Sequence, residues 1–323
     1  MGGGRWDTDT YKSLRSARMS VATAKGIAPT KVDYAYSERA QQDRTIGVHP
    51  NLNPRRINKK PFGKLESRDS KEHPESNAVF VSFDVTGSNY SRAVVAQQKL
   101  PDLMDLLNKY LKDPQVLVAA NDDYNVEGRR SVQISDYESD NRIDDHIRNV
   151  ILVGKGGSNM GESYDLVLYA AARLTVLDCV EKRKKKGYLF MYADEPFFPK
   201  CKEDEIRDIF GIDEQADIPI KDLIKEARKL YNIFIIWPMG GYMDAREQYV
   251  KLFGDESVLT LQDPNLICEL IASVVGISEE MNEAELVDDL TKFGLSKKVA
   301  GEILNTAKKG RKFGDLPEGP EAL

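Results

Sequence analysis

With 323 residues, 41% of them hydrophobic and 30% charged, and a formal net charge of −6, the chain suits one sizeable α/β domain with accessories and argues against general nucleic-acid binding. Its three cysteines, Cys179, Cys201 and Cys268, form no Cys-x-x-Cys pair, which excludes a disulfide framework or a zinc cluster and fits a reducing cytosol. No apolar run approaches the ~18 residues of a membrane span and the start lacks a signal-like apolar stretch, so a cytoplasmic protein without a membrane partner is expected.

Residues 1–75 hold Gly2 to Gly4, scattered charges, Pro29, Pro50, Pro54 and Pro61 and no sustained apolar period; an extended, partly disordered arm is expected, with weak helical character over 8–25. The basic tract 55–71, with Arg55, Arg56, Lys59, Lys60, Lys64, Arg68 and Lys71, reads as a solvated linker more readily than as a polyanion contact. The texture changes at Asn77. Residues 78–83 are β-branched and aromatic without alternation, as in a strand buried on both faces of a parallel sheet. A helix over 91–111, kinked at Pro101, follows; then a strand over 115–120, an edge strand over 130–134 and a helix over 143–152. The glycine-rich loop 154–159 opens a helix that presents Tyr164, Val167, Leu168, Ala171 and Leu174 on one face. The lysines of 181–186 mark a solvated helix end. A strand over 188–193 stops at Asp194. Helices over 204–210 and 220–231 lead to strands over 233–237 and 258–261, and Asp263-Pro264 opens the helix that closes the main domain near residue 277. Two short helices, 283–293 and 296–307, make a helical tail over 278–323 that is expected to pack on the domain.

Three pieces of this chain point to a function. Asp84-Val85-Thr86-Gly87-Ser88 places a carboxylate and two hydroxyls on one tight loop at the carboxyl end of a strand. Hard oxygens so arranged suit a divalent cation, at the end of the sheet where open α/β folds bind ligands. The loop Gly154-Lys155-Gly156-Gly157-Ser158-Asn159 adds a hydroxyl and the free N–H groups of a helix start, and Asp194 ends a later strand. Singly, each has an ordinary reading. Asp, Ser and Thr cap helices and form turns, Glu162 is a first-turn charge favoured by the helix dipole, and Asp122 and Asp123 are solvated rim residues. In this order and together, the metal site is the better reading.

Strand–Asp-x-Thr-x-Ser–helix, a glycine-rich loop with a hydroxyl, and strand–Asp together resemble the metal-ion-dependent adhesion site of von Willebrand factor type A domains, over about residues 76–277 and in the manner of intracellular bacterial members. The resemblance implies a doubly wound, mostly parallel, Rossmann-like α/β sheet. It also implies Mg²⁺ or Mn²⁺ held by Asp84, Thr86, Ser88, Ser158 and Asp194, with Asn159 or Glu162-Ser163 as alternatives to Ser158. Two aspartates and hydroxyls leave the ion a strong pull on an outside carboxylate. The implied function is therefore a non-enzymatic interaction module, a scaffold or assembly component, that binds an Asp or Glu of a protein partner. Residues 83–88 are also similar to the first motif of haloacid-dehalogenase-like phosphatases, with Asp84 as nucleophile. Thr86 stands where their second carboxylate acts as acid/base, and a hydroxyl protonates a leaving group poorly. A purely structural assembly protein is the remaining alternative. The loop 154–159 lacks the G-x-x-x-x-G-K-[ST] order of a phosphate cradle.

Overall fold

Residues 4–75 do not run free as an arm. The computed structural model describes residues 4–86, 90–152 and 161–310, and its first part forms α1 (Thr8–Lys25), α2 (Pro29–Asp33), α3 (Ala35–Gln42), a 3-10 turn (Pro54–Lys59) and a short strand, β1 (Leu65–Ser67). Asp7 caps α1 by accepting the Thr10 N–H at 2.6 Å, and Gly26, at φ +61°, ends it. Tyr34, Val48, Leu52, Ile57 and Leu65 are buried. Four residues of the basic tract reach back onto the fold, while Lys59 and Lys71 are exposed. Arg55 donates to the Asp208 carbonyl (3.0 Å) and Arg56 to that of Ile134 (2.8 Å), Lys64 donates to that of Arg173, and Arg68 pairs with Asp178 at 2.9 Å. The anchors of this strap are single residues at irregular intervals, which is why no apolar period announces them.

Along the rest of the chain come β2 (Asn77–Asp84), β3 (Pro114–Asn121), β4 (Val132–Ile134), β5 (Thr175–Leu177), β6 (Gly187–Tyr192), β7 (Lys200–Cys201), β8 (Ile218–Pro219), β9 (Tyr231–Pro238) and β10 (Val258–Leu261). Between them lie α4 (Tyr90–Tyr110), α5 (Tyr124–Glu127), α6 (Arg142–Arg148), α7 (Tyr164–Arg173), α8 (Asp178–Arg183), α9 (Glu203–Phe210), α10 (Ile220–Ala227) and α11 (Met243–Phe253), and after them α12 (Ile267–Ser278), α13 (Glu283–Lys292) and α14 (Lys297–Ala307). The main sheet has the order β10-β9-β6-β2-β3-β4 and is parallel except where β4 meets β3. β1 pairs in parallel with β5, which fastens the strap to the chain just before α8. The helix expected over 143–152 ends at Arg148, and α11 was not foreseen.

This is a mixed α/β fold with a mostly parallel six-stranded sheet, compatible with the doubly wound expectation. Every residue of β2 is buried, and alternate side chains serve opposite layers. Phe80, Leu189, Met191, Ile233 and Ile235 pack with α7, α9, α10 and α11 on one face. Val79, Val81, Phe190, Phe234 and Ile236 pack with α4 and α12 on the other, where Leu286, Leu290, Ile303 and Leu304 of α13 and α14 join the same core. Cys179, Cys201 and Cys268 are buried and form no disulfide. Among the described residues no helix is long and apolar enough to cross a membrane.

The topology fixes where a ligand would bind. From β2 the chain moves to β3 on one side, while β6, reached later, pairs with the other side of β2. The strand order therefore reverses between β2 and β6, and the crevice outside their carboxyl ends is the usual ligand position of such sheets.

Candidate metal centre

Asp84 is the last residue of β2 and is fully buried. Its Oδ1 accepts the Thr86 N–H at 2.8 Å and the Thr86 hydroxyl at 2.6 Å, which turns the chain sharply away from the strand. Its Oδ2 accepts the Tyr164 hydroxyl at 2.5 Å. Tyr164 begins α7, and its oxygen also accepts the Asp194 N–H at 3.3 Å. One phenol thus links the end of β2 to the residue pair after β6. Asp194 is 3% exposed. Gly241 packs against it so closely that a Cβ there would stand 3.1 Å from the Asp194 Cβ and 2.9 Å from Trp237 Nε1. Of the residues singled out from the sequence, Asp84, Thr86 and Asp194 come together at the switch point; Ser88, Ser158 and Asn159 lie outside the described residues.

More carboxylates surround this group than the motif required. Asp122 and Asp123, expected on a solvated rim, are buried behind the end of β3, and Glu162, expected as a first-turn charge, is buried ahead of α7 in a bridge with Phe197. Asp122 Oδ1 accepts the Asp123 N–H at 2.7 Å, and Asp123 caps α5 by accepting the Asn125 N–H at 2.8 Å. Glu195 accepts the Gly161 N–H at 2.9 Å. Asp122 Oδ2, Asp123 Oδ2 and Glu162 Oε2 have no hydrogen-bond partner among the described residues. Burial, reinforced by the charge of Asp84, pushes the Asp122 carboxyl up to about 8. Burial and the Asp194 charge raise Asp84, and burial with the charges of Asp84 and Asp122 raises Glu162. Desolvated like charges disfavour ionisation in this way unless a cation is supplied.

The donors are all oxygens, the chemistry of a hard ion such as Mg²⁺ or Mn²⁺ rather than of zinc in a thiolate or imidazole site. Among the described residues no three His, Cys, Asp or Glu side chains converge closely enough to hold an ion. An ion could here rest on Asp84 and Asp194 with hydroxyl oxygens, Thr86 Oγ1 first among them, while Asp122 and Glu162 supply negative potential from behind.

No protein-family model matches the chain, and no curated protein does. Among solved structures it is similar to the pilus adhesin SpaC of Lactobacillus rhamnosus GG in its open conformation, with TM-score 0.42 and 7% identity over 65% of this chain and 31% of that one. It is similar also to proximal thread matrix protein 1 of the mussel byssus, with TM-score 0.41 and 15% identity over 62% of this chain and 46% of that one. A form of the byssus protein with a zinc-occupied MIDAS motif gives TM-score 0.41 and 15% identity over 67% and 47%. The chain spans less than half the length of each of these structures.

Tyr164, Asp122 and Glu195 are the site residues that sequence reasoning did not assign to it, and Glu162 entered only as an alternative to Ser158. Tyr164 had been placed on the apolar face of its helix, and its ring does pack there, 5.1 Å from that of Phe197. The available signal was its hydroxyl, which a buried tyrosine must direct to a partner.

Proposed function

We propose that the chain is a metal-dependent protein-interaction module of von Willebrand factor A type, with residues 76–277 as its binding domain and 4–75 and 278–310 as flanks packed on it. Mg²⁺ or Mn²⁺ is held by Asp84, Thr86, Ser88, Ser158 and Asp194, and an Asp or Glu carboxylate of a protein partner completes its coordination. The observation that carries this reading is the pairing of Asp84 and Asp194 through Tyr164 at the switch point, amid buried carboxylates whose outer oxygens have no partner among the described residues. A divalent ion supplies the missing counter-charge. Thr86 donates its hydroxyl proton to Asp84, and a hydroxyl oxygen is the kind of hard donor such an ion takes. That same hydrogen bond disfavours a phosphatase, because the residue that would have to protonate a leaving group instead fixes the neighbouring carboxylate. The role is that of a scaffold or assembly component in the cytoplasm.

The test is capture from cell extract on the immobilised full chain with Mg²⁺, followed by elution with chelator. Single acidic residues of an eluted partner are then neutralised. Losing the carboxylate that meets the ion is expected to weaken binding by about 2–5 kcal/mol. Affinity that survives chelation and every single neutralisation sinks the reading.

A further inference from the structure

The loop after β6 gathers the parts of the candidate metal centre. Asp194 heads it, and the residues that follow tie it to the other segments of the site. Glu195 Oε2 accepts the Gly161 N–H at 2.9 Å, and Phe197 bridges Glu162, so the loop holds the chain just ahead of α7. Gly161 comes so near that a Cβ there would stand 2.8 Å from Phe198 Cε1. Through the Tyr164 hydroxyl, which accepts the Asp194 N–H, the loop also reaches Asp84 at the end of β2.

At this point the chain is leaving the sheet. The Ala193 N–H still donates to the Ile236 carbonyl of β9 at 3.2 Å, and the buried amides beyond it require other partners. Helix α11 supplies them. Gln248 Oε1 accepts the Phe197 N–H at 2.7 Å, and Gln248 Nε2 donates to the Phe197 carbonyl at 3.0 Å. A side-chain amide carries a donor and an acceptor as a peptide group does, so Gln248 grips this backbone as a neighbouring strand would. Tyr249 donates its hydroxyl to the Glu195 carbonyl and sets its ring edge-on to that of Phe197, 5.7 Å away. Ring packing alone would keep Phe197 in the core. The hydrogen bonds add direction, because they fix the course of the backbone that carries Asp194.

We propose that Gln248 and Tyr249 are positioning residues of the cation site. From α11 they clamp residues 195–197, and so preset the Asp194 carboxylate and the approach to α7 before an ion arrives. The proposal rests on the cation reading given above. Neither residue serves as a ligand; both act through the loop. A ligand loop that is already ordered loses no binding energy to ordering, and removing the groups that orient a metal ligand typically weakens metal binding about 10–100-fold.

The test is the Mn²⁺ affinity of the full chain, measured by calorimetry well below every unfolding transition, beside hydrogen exchange in chelator. Gln248→Met keeps the length of the side chain and removes both of its hydrogen bonds. It is expected to weaken Mn²⁺ binding about tenfold or more and to quicken exchange at the Phe197 and Gly161 amides. Tyr249→Phe removes only the hydroxyl and is expected to weaken binding by a smaller factor. Leu65→Ala, at the strap, controls for stability alone: it unfolds more easily in denaturant, and its Mn²⁺ affinity is expected to equal that of the unaltered chain. Unchanged affinity in both α11 variants overturns the proposal while leaving the cation reading in place. An equal loss in Leu65→Ala overturns it also, because affinity would then follow stability in general. Should Gln248→Met fail to fold, Tyr249→Phe decides, and unchanged affinity in it overturns the proposal. No Mn²⁺ binding by the unaltered chain removes the cation reading and the proposal with it.

Discussion

Asp69 and Asp178 stand where the strap meets α8, with Arg183 at 2.8 Å from Asp69 and Lys182 at 2.7 Å and Arg68 at 2.9 Å from Asp178. Asp84, Asp122 and Glu162 stand at the carboxyl ends of the central strands, and the described residues give no comparable cation to them. Burial acts on both groups in the same direction. At the strap, hydrogen bonds from Arg183, Ser76 and Lys182 outweigh it and hold Asp69 below the ordinary carboxylate range, and Lys182 and Arg68 do the same for Asp178. In the crevice nothing outweighs it, and the carboxyls rise. A saturated cluster holds two segments together and needs nothing more, whereas an unsaturated buried one costs stability until a cation arrives. The first is a joint of the fold, and the second has the unsatisfied charge that the proposed cation site requires.

The comparison can be broken most severely at the strap. Leu65 is fully buried in β1, and Leu65→Ala is expected to lower the unfolding free energy of the whole chain by about 2–5 kcal/mol, read by denaturant titration. A variant as stable as the unaltered chain would return residues 4–75 to the status of a loose arm. In the crevice, Mg²⁺ or Mn²⁺ at a hundredfold excess over its Kd should add about 2.7 kcal/mol, seen as a rise in Tm, and Asp84→Asn should remove the rise. A Tm indifferent to millimolar Mg²⁺ contradicts the cation reading.

The smallest and sharpest contrast is in pH dependence, measured by chemical denaturation in chelator. The folded-state pKa values of Asp69 and Asp178 are depressed. Their contribution is therefore present above the unfolded value of about 3.9 and is lost as pH falls through the lower folded values. Arg68→Ala should remove about 1–3 kcal/mol of stability at neutral pH and flatten that acid loss. Asp122 has the opposite sign. Its folded pKa lies at about 8, so its contribution is present below about 4 and is lost as pH rises through about 8. Asp122→Asn should flatten the decline on that side and leave the acid side unchanged. Equal slopes in both variants would mean that the two clusters do not differ.

The sequence by itself determined what depends on neighbours along the chain. Unbroken apolar runs ending at Asp84 and Asp194 marked central strands and the end of the sheet that carries the site, because burial on both faces erases alternation within a few residues. The periodicity over 283–293 and 296–307 marked two helices close to the observed α13 and α14. What only the tertiary structure decided depends on partners far away in the chain. Arg68 looked like a linker charge because Asp178, which neutralises it, lies 110 residues on. Asp122 and Asp123 looked solvated because their burial comes from packing against other strands and helices, not from their own sequence neighbours. Tyr164 looked like one more apolar contact because its hydroxyl meets Asp84 from 80 residues away. A run or a period is legible when its cause lies within one element. The pairing of a charge, and hence the difference between a joint and an unsatisfied cluster, is set by which elements the fold brings side by side.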